Sequence, residues 1–364
     1  MERRIRTGRD HQMRVANTTA PRTIEFVERP LPAVQRGTAL VRVEHVTLCG
    51  TDFHIWEGEY LNPFPIVQGH EIVGTVASIH SDHPAFQIGS RVAVSPVRTC
   101  GKCHACSVGR SNVCRDVSVL GCYEDGAFAE FIAVPISALH SVPDTVPSTL
   151  APLSEPASIA LQAVQRGRPQ AGELALVIGC GPIGLIATLA LREAGVDVVA
   201  ADTVLSRTDT AREFGAASTV VIDVSAPFPT GSEIASAIGD SERPVTLIIE
   251  ATGSPAAFIG AVEIAAPTAR VVAVGISDRE VTIPMRAIPL KELDILGSRN
   301  SLNLIDEGLR LIERNPEHFA ALVTHRFAFE EIEQALSVMR TDPAAVRKVL
   351  ISFEGVNVSH GHSG

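Results

Sequence analysis

Residues 174–191 read LALVIGCGPIGLIATLAL, and how that stretch is interpreted decides the fold. It carries no charge from end to end and is long enough for a membrane span. Gly179, Gly181, Pro182 and Gly184 break the run at its centre, however, and charged residues lie close on both sides. A buried strand, a glycine turn and a buried helix explain it better. The turn has the form G-x-G-x-x-G between a strand and a helix, the context in which that motif has physical meaning. Gly179 permits the tight turn, Gly181 lets the backbone approach a pyrophosphate, and Gly184 lets helix and strand pack closely. The helix start at Pro182-Ile183 then faces the phosphates.

The surroundings repeat this rhythm. VDVVAAD, STVVID, VTLIIEAT, ARVVAVG and LDILGS read as further strands, with helices at SRTDTAREFGA and SPAAFIGAVEIAAP. Strands alternating with helices indicate a parallel sheet covered on both faces, and six strands is the count of the doubly wound dinucleotide fold. Asp202 closes the second strand, beyond the helix that Gly184 opens, where a carboxylate accepts hydrogen bonds from a ribose and repels a 2′-phosphate. NAD is therefore expected over NADP, with Arg207 as the cation that would tolerate a phosphate. Before Pro156 the chain differs. From Thr23 to Val94 it reads as short β-rich runs, residues 95–122 fit neither strand nor helix, and GAFAEFIAVP resumes the strand pattern.

The chain has 364 residues, 45% apolar and 20% charged, with a net charge of −10. That suits a globular chain of two domains and argues against disorder, collagen and low complexity. No basic stripe stands out, which speaks against a nucleic-acid surface. The start, MERRIRTGRDHQMRV, has no apolar stretch behind its charges and does not read as a secretory signal. Met13 reads as the natural start, residues 1–12 as an upstream extension, and SHGHSG as a frayed tail whose histidines need no metal. The expected location is cytoplasmic, without membrane contact. Cys100, Cys103, Cys106 and Cys114 fall within one short stretch, a spacing that suits a metal better than disulfides. Four thiolates fit a closed tetrahedral zinc site. An iron–sulfur cluster competes, against which stand the fourth spacing and the missing Cys-Pro pair. Cys122 and Cys180 read as packing residues.

Cys49-Gly50-Thr51-Asp52, Gly69-His70-Glu71, the cysteine lobe, Ser154-Glu155-Pro156 and the glycine motif follow in that order. Together they resemble the zinc-dependent medium-chain dehydrogenase/reductase superfamily, from about Met13 to Phe353. Glu155 in its Ser-Glu-Pro context resembles the polyol (sorbitol-type) branch, whereas Cys49, Thr51 and His54 resemble L-threonine dehydrogenases. The resemblance implies an α/β chain with a GroES-like β-rich catalytic domain over 1–157, its zinc lobe at 95–122. A Rossmann domain with a doubly wound parallel sheet would cover 158–298, and residues 299–364 would return to the catalytic domain. It also implies two zinc ions per chain, one catalytic and one structural, and a homodimer or homotetramer.

An open zinc site needs about three protein donors and a vacant position. Cys49 and His70 match two of them, and Glu71 and Glu155 compete for the third. Adjacent residues on a strand point to opposite faces, so His70 and Glu71 share a metal only across a local kink. The expected set is Cys49, His70 and Glu155, with Glu71 close by or exchanging with water. Zinc lowers the pKa of bound water from about 16 to about 7, and an alcohol benefits similarly. By resemblance, Thr51 receives the proton and passes it towards the cofactor ribose and His54, while Val274, Gly275 and Ile276 join the cofactor site. Trp56 is expected as a pocket wall or as core. Arg299, in Leu296-Gly297-Ser298-Arg299-Asn300, falls where the polyol branch has an arginine near substrate. Its guanidinium would hold a carboxylate by two parallel hydrogen bonds, the structural alternative being an ion pair between domains. The expected activity is NAD-dependent oxidation of a secondary alcohol of a polyol, sugar or sugar acid. L-threonine-type 3-dehydrogenation is the second enzyme reading. A non-catalytic zinc- and nucleotide-binding protein on the same scaffold would have lost the open-site donors, which this chain retains.

Overall fold

The computed structural model of the chain describes residues 12–60, 64–80, 85–223, 225 and 228–353. The SHGHSG tail and residues 1–11 of the expected extension lie outside them. The chain divides into two units, Met1–Glu155 with Ile305–Gly364, and Pro156–Leu304. The divisions fall after Glu155 and after Leu304, where the sequence reading places them after 157 and after 298. Residues 299–304 stay with the parallel sheet, where Leu302 N–H donates to Gln162 Oε1 at 3.1 Å. No helix among the described residues is long and apolar enough to cross a membrane.

The first unit is built around strand Thr38–Thr47, which pairs antiparallel with Glu71–Ile79, Phe131–Pro135 and Lys348–Ser352. The apolar–polar alternation of ALVRVEHV predicts one buried face, yet most of the strand is buried because neighbours cover it on both sides. Val41, Val43, Ile72, Phe128, Phe329, Val349 and Ile351 share its core. The returning segment thus completes the sheet that the first half begins. One element departs from the β reading of Thr23–Val94: Gly50–Glu57 is a helix. Cys49 caps it in extended backbone, and Gly58 ends it at φ +81. A helix this short shows too little periodicity to stand out from the β-branched runs around it.

The second unit is the doubly wound sheet, in the order Ser218–Val221, Asp197–Asp202, Leu174–Ile178, Val245–Glu250, Arg270–Ala273, Asp294–Gly297, all parallel. Leu174, Leu176 and Ile178 are fully buried in the central strand, as the uncharged run demands. Helices at Pro182–Glu193, Leu205–Glu213 and Pro255–Ile264 lie where the sequence places them. A further helix, Gly231–Ile238, is capped by Thr230 and Glu233 in a reciprocal box.

His45 is 1% exposed in the first unit, opposite Ser352 in the strand register. Its Nδ1 lies 3.0 Å from Ser352 Oγ. Burial, with the nearby Arg326 charge, lowers its pKa to about 4. The folded chain keeps this ring neutral, whereas the unfolded chain takes up a proton below its ordinary 6.5. Its contribution is therefore complete above pH 6.5 and lost as pH falls towards 4, amounting to about 3 kcal/mol at most. In urea unfolding at about pH 7.5 and about pH 4.5, His45→Asn should lose less stability between the two conditions than the unmodified chain.

Candidate active site

Cys49, His70 and Glu71 each offer one donor atom, and these atoms lie within 4.8 Å of one another. Cys49 precedes the short helix, while His70 and Glu71 sit at the entry to strand Glu71–Ile79. Adjacency does not separate the last two, because the strand begins only at Glu71 and His70 lies outside its alternation; Gly69, just before them, takes φ +93. Gly69 sets only the direction in which the chain enters His70. A Cβ on Gly69 would sit 2.5 Å from the Phe128 ring. On Gly126 it would lie 2.2 Å from Gly69 O, and on Gly121 2.7 Å from Gly69 N. Three glycines therefore pack closely to set the path into His70.

Asp52 ties the two donor segments together. It is fully buried and accepts the Cys49 N–H at 2.9 Å and the Gly69 N–H at 3.2 Å. Its Oδ1 also lies 3.6 Å from His70 Nδ1, with Cys122 Sγ 3.8 Å from the same nitrogen. Cys122 is thus a buried neighbour of the site as well as a packing residue. Burial would lower the His70 pKa, but Asp52 and Cys122 raise it well above its ordinary value.

Glu71 is fully buried, and both its oxygens are engaged. Thr47 Oγ1 donates to Oε2, and Lys348 Nζ donates to Oε1 and, at 3.2 Å, to the Leu48 carbonyl. Burial alone would lower the Lys348 pKa, but Glu71 and Cys49 raise it. Glu155 stands in the first turn of helix Ser154–Gly167 and is 8% exposed. Burial pushes its carboxyl up to about 7, with Glu71 and Asp52 adding to that and His70 and Lys348 opposing it. It lies outside the three-donor group but feels two of its members. Thiol, imidazole and carboxyl groups thus converge around few cations, a donor chemistry that fits a divalent metal such as zinc.

The other expected residues are less closely gathered. Thr51 is half-buried, its Oγ1 3.7 Å from Cys49 Sγ. His54 is exposed and pairs instead with Glu59 Oε2 at 2.7 Å. Trp56 is 2% exposed in the core with Arg340 over its ring, and Ile55 and Trp56 form the buried side of their helix with Asp52. Sequence reasoning missed Thr47, Asp52, Lys348 and the three glycines. Asp52 had a signal, lying three residues beyond a helix-capping position, whereas Lys348 stands 277 residues from Glu71 and had none.

In the lobe, Cys100, Cys103, Cys106 and Cys114 bring four sulfurs within 4.8 Å of one another. Backbone N–H groups of Cys100 and Asp116 each reach Cys114 Sγ at 3.3 Å, and that of Cys103 reaches Cys100 Sγ at 3.3 Å. Hydrogen bonds from Arg115 and Cys106 lower Cys103 to about 6. Four sulfurs gathered this closely fit a closed metal site.

The glycine loop separates the three roles clearly. Gly179 takes φ +97, a Cβ on Gly184 would stand 1.8 Å from Gly179 O, and one on Gly181 would meet nothing within 4 Å. The open cradle at Gly181, above the helix N-terminus, fits a dinucleotide. Asp202 is buried and accepts the Cys180 N–H at 2.7 Å and the Val204 N–H at 2.9 Å, so it also braces the loop. Arg207 is half-buried on the next helix. Val274 and Gly275 donate to Glu250 O, at 2.9 and 3.1 Å, and Ile276 is 81% exposed. Arg299 is exposed just beyond the last strand.

Comparison with known proteins shows the family. Residues 35–144 match the alcohol dehydrogenase GroES-like domain family, and residues 182–314 match the zinc-binding dehydrogenase family. The chain belongs to the zinc-type alcohol dehydrogenases of the medium-chain superfamily, as oxidoreductases acting on CH–OH groups with zinc and a nicotinamide cofactor. It is similar to the starvation-sensing protein RspB of Escherichia coli, 34% identical over 92% of this chain and 97% of that one. L-threonine 3-dehydrogenase of Bacillus subtilis is 31% identical, covering 87% and 92%. L-galactonate-5-dehydrogenase of E. coli is 32% identical, covering 88% and 94%. Among solved structures, a short chain alcohol dehydrogenase (rspB) of E. coli CFT073 with NADH superposes at TM-score 0.87 and 32% identity, covering 94% and 100%. A putative zinc-binding dehydrogenase of Sinorhizobium meliloti with NADP superposes at 0.84 and 26%, covering 94% and 99%.

Gly126→Ala should force the Gly69 backbone away from its position and cost about 1–3 kcal/mol. Thermal unfolding should show a lower midpoint, whereas Gly231→Ala, where a Cβ meets nothing within 4 Å, should cost less.

Proposed function

We propose that this chain oxidises a secondary alcohol of a polyol-like sugar acid, with NAD as hydride acceptor and two zinc ions per chain. The observation that carries the reading is the contrast between the two donor groups. Four cysteines close one site, whereas Cys49, His70 and Glu71, with Glu155 beside them, supply an open set on the other. In this reading Cys49, His70 and Glu155 hold the catalytic zinc and Glu71 stands alongside, while the lobe holds the structural zinc. Zinc, when bound, supplies a Lewis acid that acidifies a hydroxyl, and the nicotinamide supplies the hydride acceptor. Asp52 orients His70 and sets the Cys49 backbone. With the nicotinamide bound, the carbinol hydrogen would leave as the hydride it accepts, and Thr51 would take the hydroxyl proton. His54, exposed beside Glu59, is the solvent end of that path. Gly179, Gly181 and Gly184 with the Pro182-Ile183 helix start receive the pyrophosphate, and Asp202 the adenosine ribose. Val274, Gly275 and Ile276 border the nicotinamide half.

Arg299 supports a carboxylate on the substrate, and the likeness to L-galactonate-5-dehydrogenase points the same way. A reducing cytoplasm suits seven cysteines, all of them free. The parallel sheet ends on Asp294–Gly297, and the chain leading into that strand exposes Ile276, Met285 and Leu290. This edge suits a second copy of the chain in a homo-oligomer.

Initial rates with both cofactors should favour NAD. Asp202→Asn, which removes charge and keeps shape, should shift the ratio towards NADP by about tenfold, roughly 1.4 kcal/mol. An unmodified preference for NADP would end the ribose argument and implicate Arg207. In a panel of aldonates, polyols and L-threonine followed by NADH absorbance, aldonates should give the highest kcat/KM. Arg299→Ala should erase most of their advantage, about 10–100-fold for a lost bidentate pair. Equal loss on all substrates would make Arg299 structural.

A further inference from the structure

The buried cation beside the metal site has no part in the chemistry just described. Lys348 is 4% exposed, opens strand Lys348–Ser352 and pairs with Glu71 Oε1. Its Nζ also donates to the Leu48 carbonyl, one residue before Cys49, at 3.2 Å. The Leu48 N–H in turn donates to Val349 O at 2.9 Å, so the same strand is stitched to the segment carrying Cys49. Thr47 Oγ1 occupies the other Glu71 oxygen. Glu71 therefore lies within donor range of Cys49 and His70, yet both its oxygens are already committed.

We propose that Lys348 is a positioning residue that holds Glu71 off the catalytic metal and leaves third place to Glu155. This rests on the zinc reading above. A buried carboxylate needs a counter-charge, and Lys348 supplies a fixed one. Without it, the nearest cation within reach of Glu71 is the metal. Removing Lys348 should then recruit Glu71 as an added ligand, tightening metal binding and filling the position kept for substrate. A merely structural lysine predicts the reverse, because a disturbed site lets its metal go faster.

The test uses the cobalt(II)-substituted full chain, its visible absorption and its release of cobalt to a chelator. Cobalt in the four-cysteine lobe serves as the internal reference. Lys348→Met should slow release from the catalytic site about tenfold, the scale of a change in groups that orient a ligand. The visible bands should move, and Glu71→Gln in the Lys348→Met background should return release to the unmodified rate. Lys348→Arg should behave as unmodified. Release as fast as or faster than in the unmodified chain, or unmoved bands, would overturn the proposal. If Lys348→Met does not fold, Thr47→Val, which frees only Oε2, should slow release about threefold, and an unchanged rate there overturns the proposal equally. Glu155→Gln tests the underlying assignment separately: it should speed release. Should it not, Glu155 is no ligand, while the Lys348 and Thr47 variants still decide the role of Lys348.

Discussion

The Asp52 carboxylate is the contact on which the catalytic unit depends. It is wholly buried, a costly place for a charge unless hydrogen bonds replace its water. Two backbone N–H groups do so, from Cys49 and Gly69, and each such bond to a charged group is worth about 1.5–3 kcal/mol. Those two N–H groups belong to the two segments that carry the thiol and the imidazole. One side chain thereby caps a helix, fixes a left-handed turn and sets the separation of two metal donors. The glycines at 69, 121 and 126 make that approach possible, because a Cβ at any of them would collide with the Phe128 ring or with Gly69 itself.

The two donor groups solve different problems. The lobe gathers four cysteines from one short loop and satisfies their sulfurs with its own backbone N–H groups, so its geometry is local. The other group draws on Thr47, Cys49, His70, Glu71, Glu155 and Lys348, from segments that only the sheet brings together. Its charges are balanced over long range, and its carboxyls differ in environment. Glu71 is pinned by Thr47 and Lys348, whereas Glu155 is raised to about 7 by burial. Two acids with unlike surroundings beside one metal site can take unlike roles.

Much of the second unit was legible because its signals are local. An uncharged run, three glycines at fixed spacing and an acid at the end of the next strand each encode a backbone requirement that adjacent residues meet. Thr230-x-x-Glu233 was equally local, a capping box that announced the helix Gly231–Ile238 and went unread. Trp56 shows the opposite case, since its burial under Arg340 comes from packing that no local pattern encodes.

The sequence alone determined the fold class, the nucleotide loop and the closed cysteine site, each from patterns within short stretches, where covalent geometry leaves few arrangements. Cys49 and His70 were named as candidate donors by the family resemblance. The tertiary structure alone decided that His70 and Glu71 both reach Cys49, because His70 precedes the strand instead of lying in its alternation. It also decided that Glu71 is held by Lys348, 277 residues away. An ion pair across that distance leaves no periodicity to read: the returning strand docks through its apolar side chains, and the lysine is carried in with it.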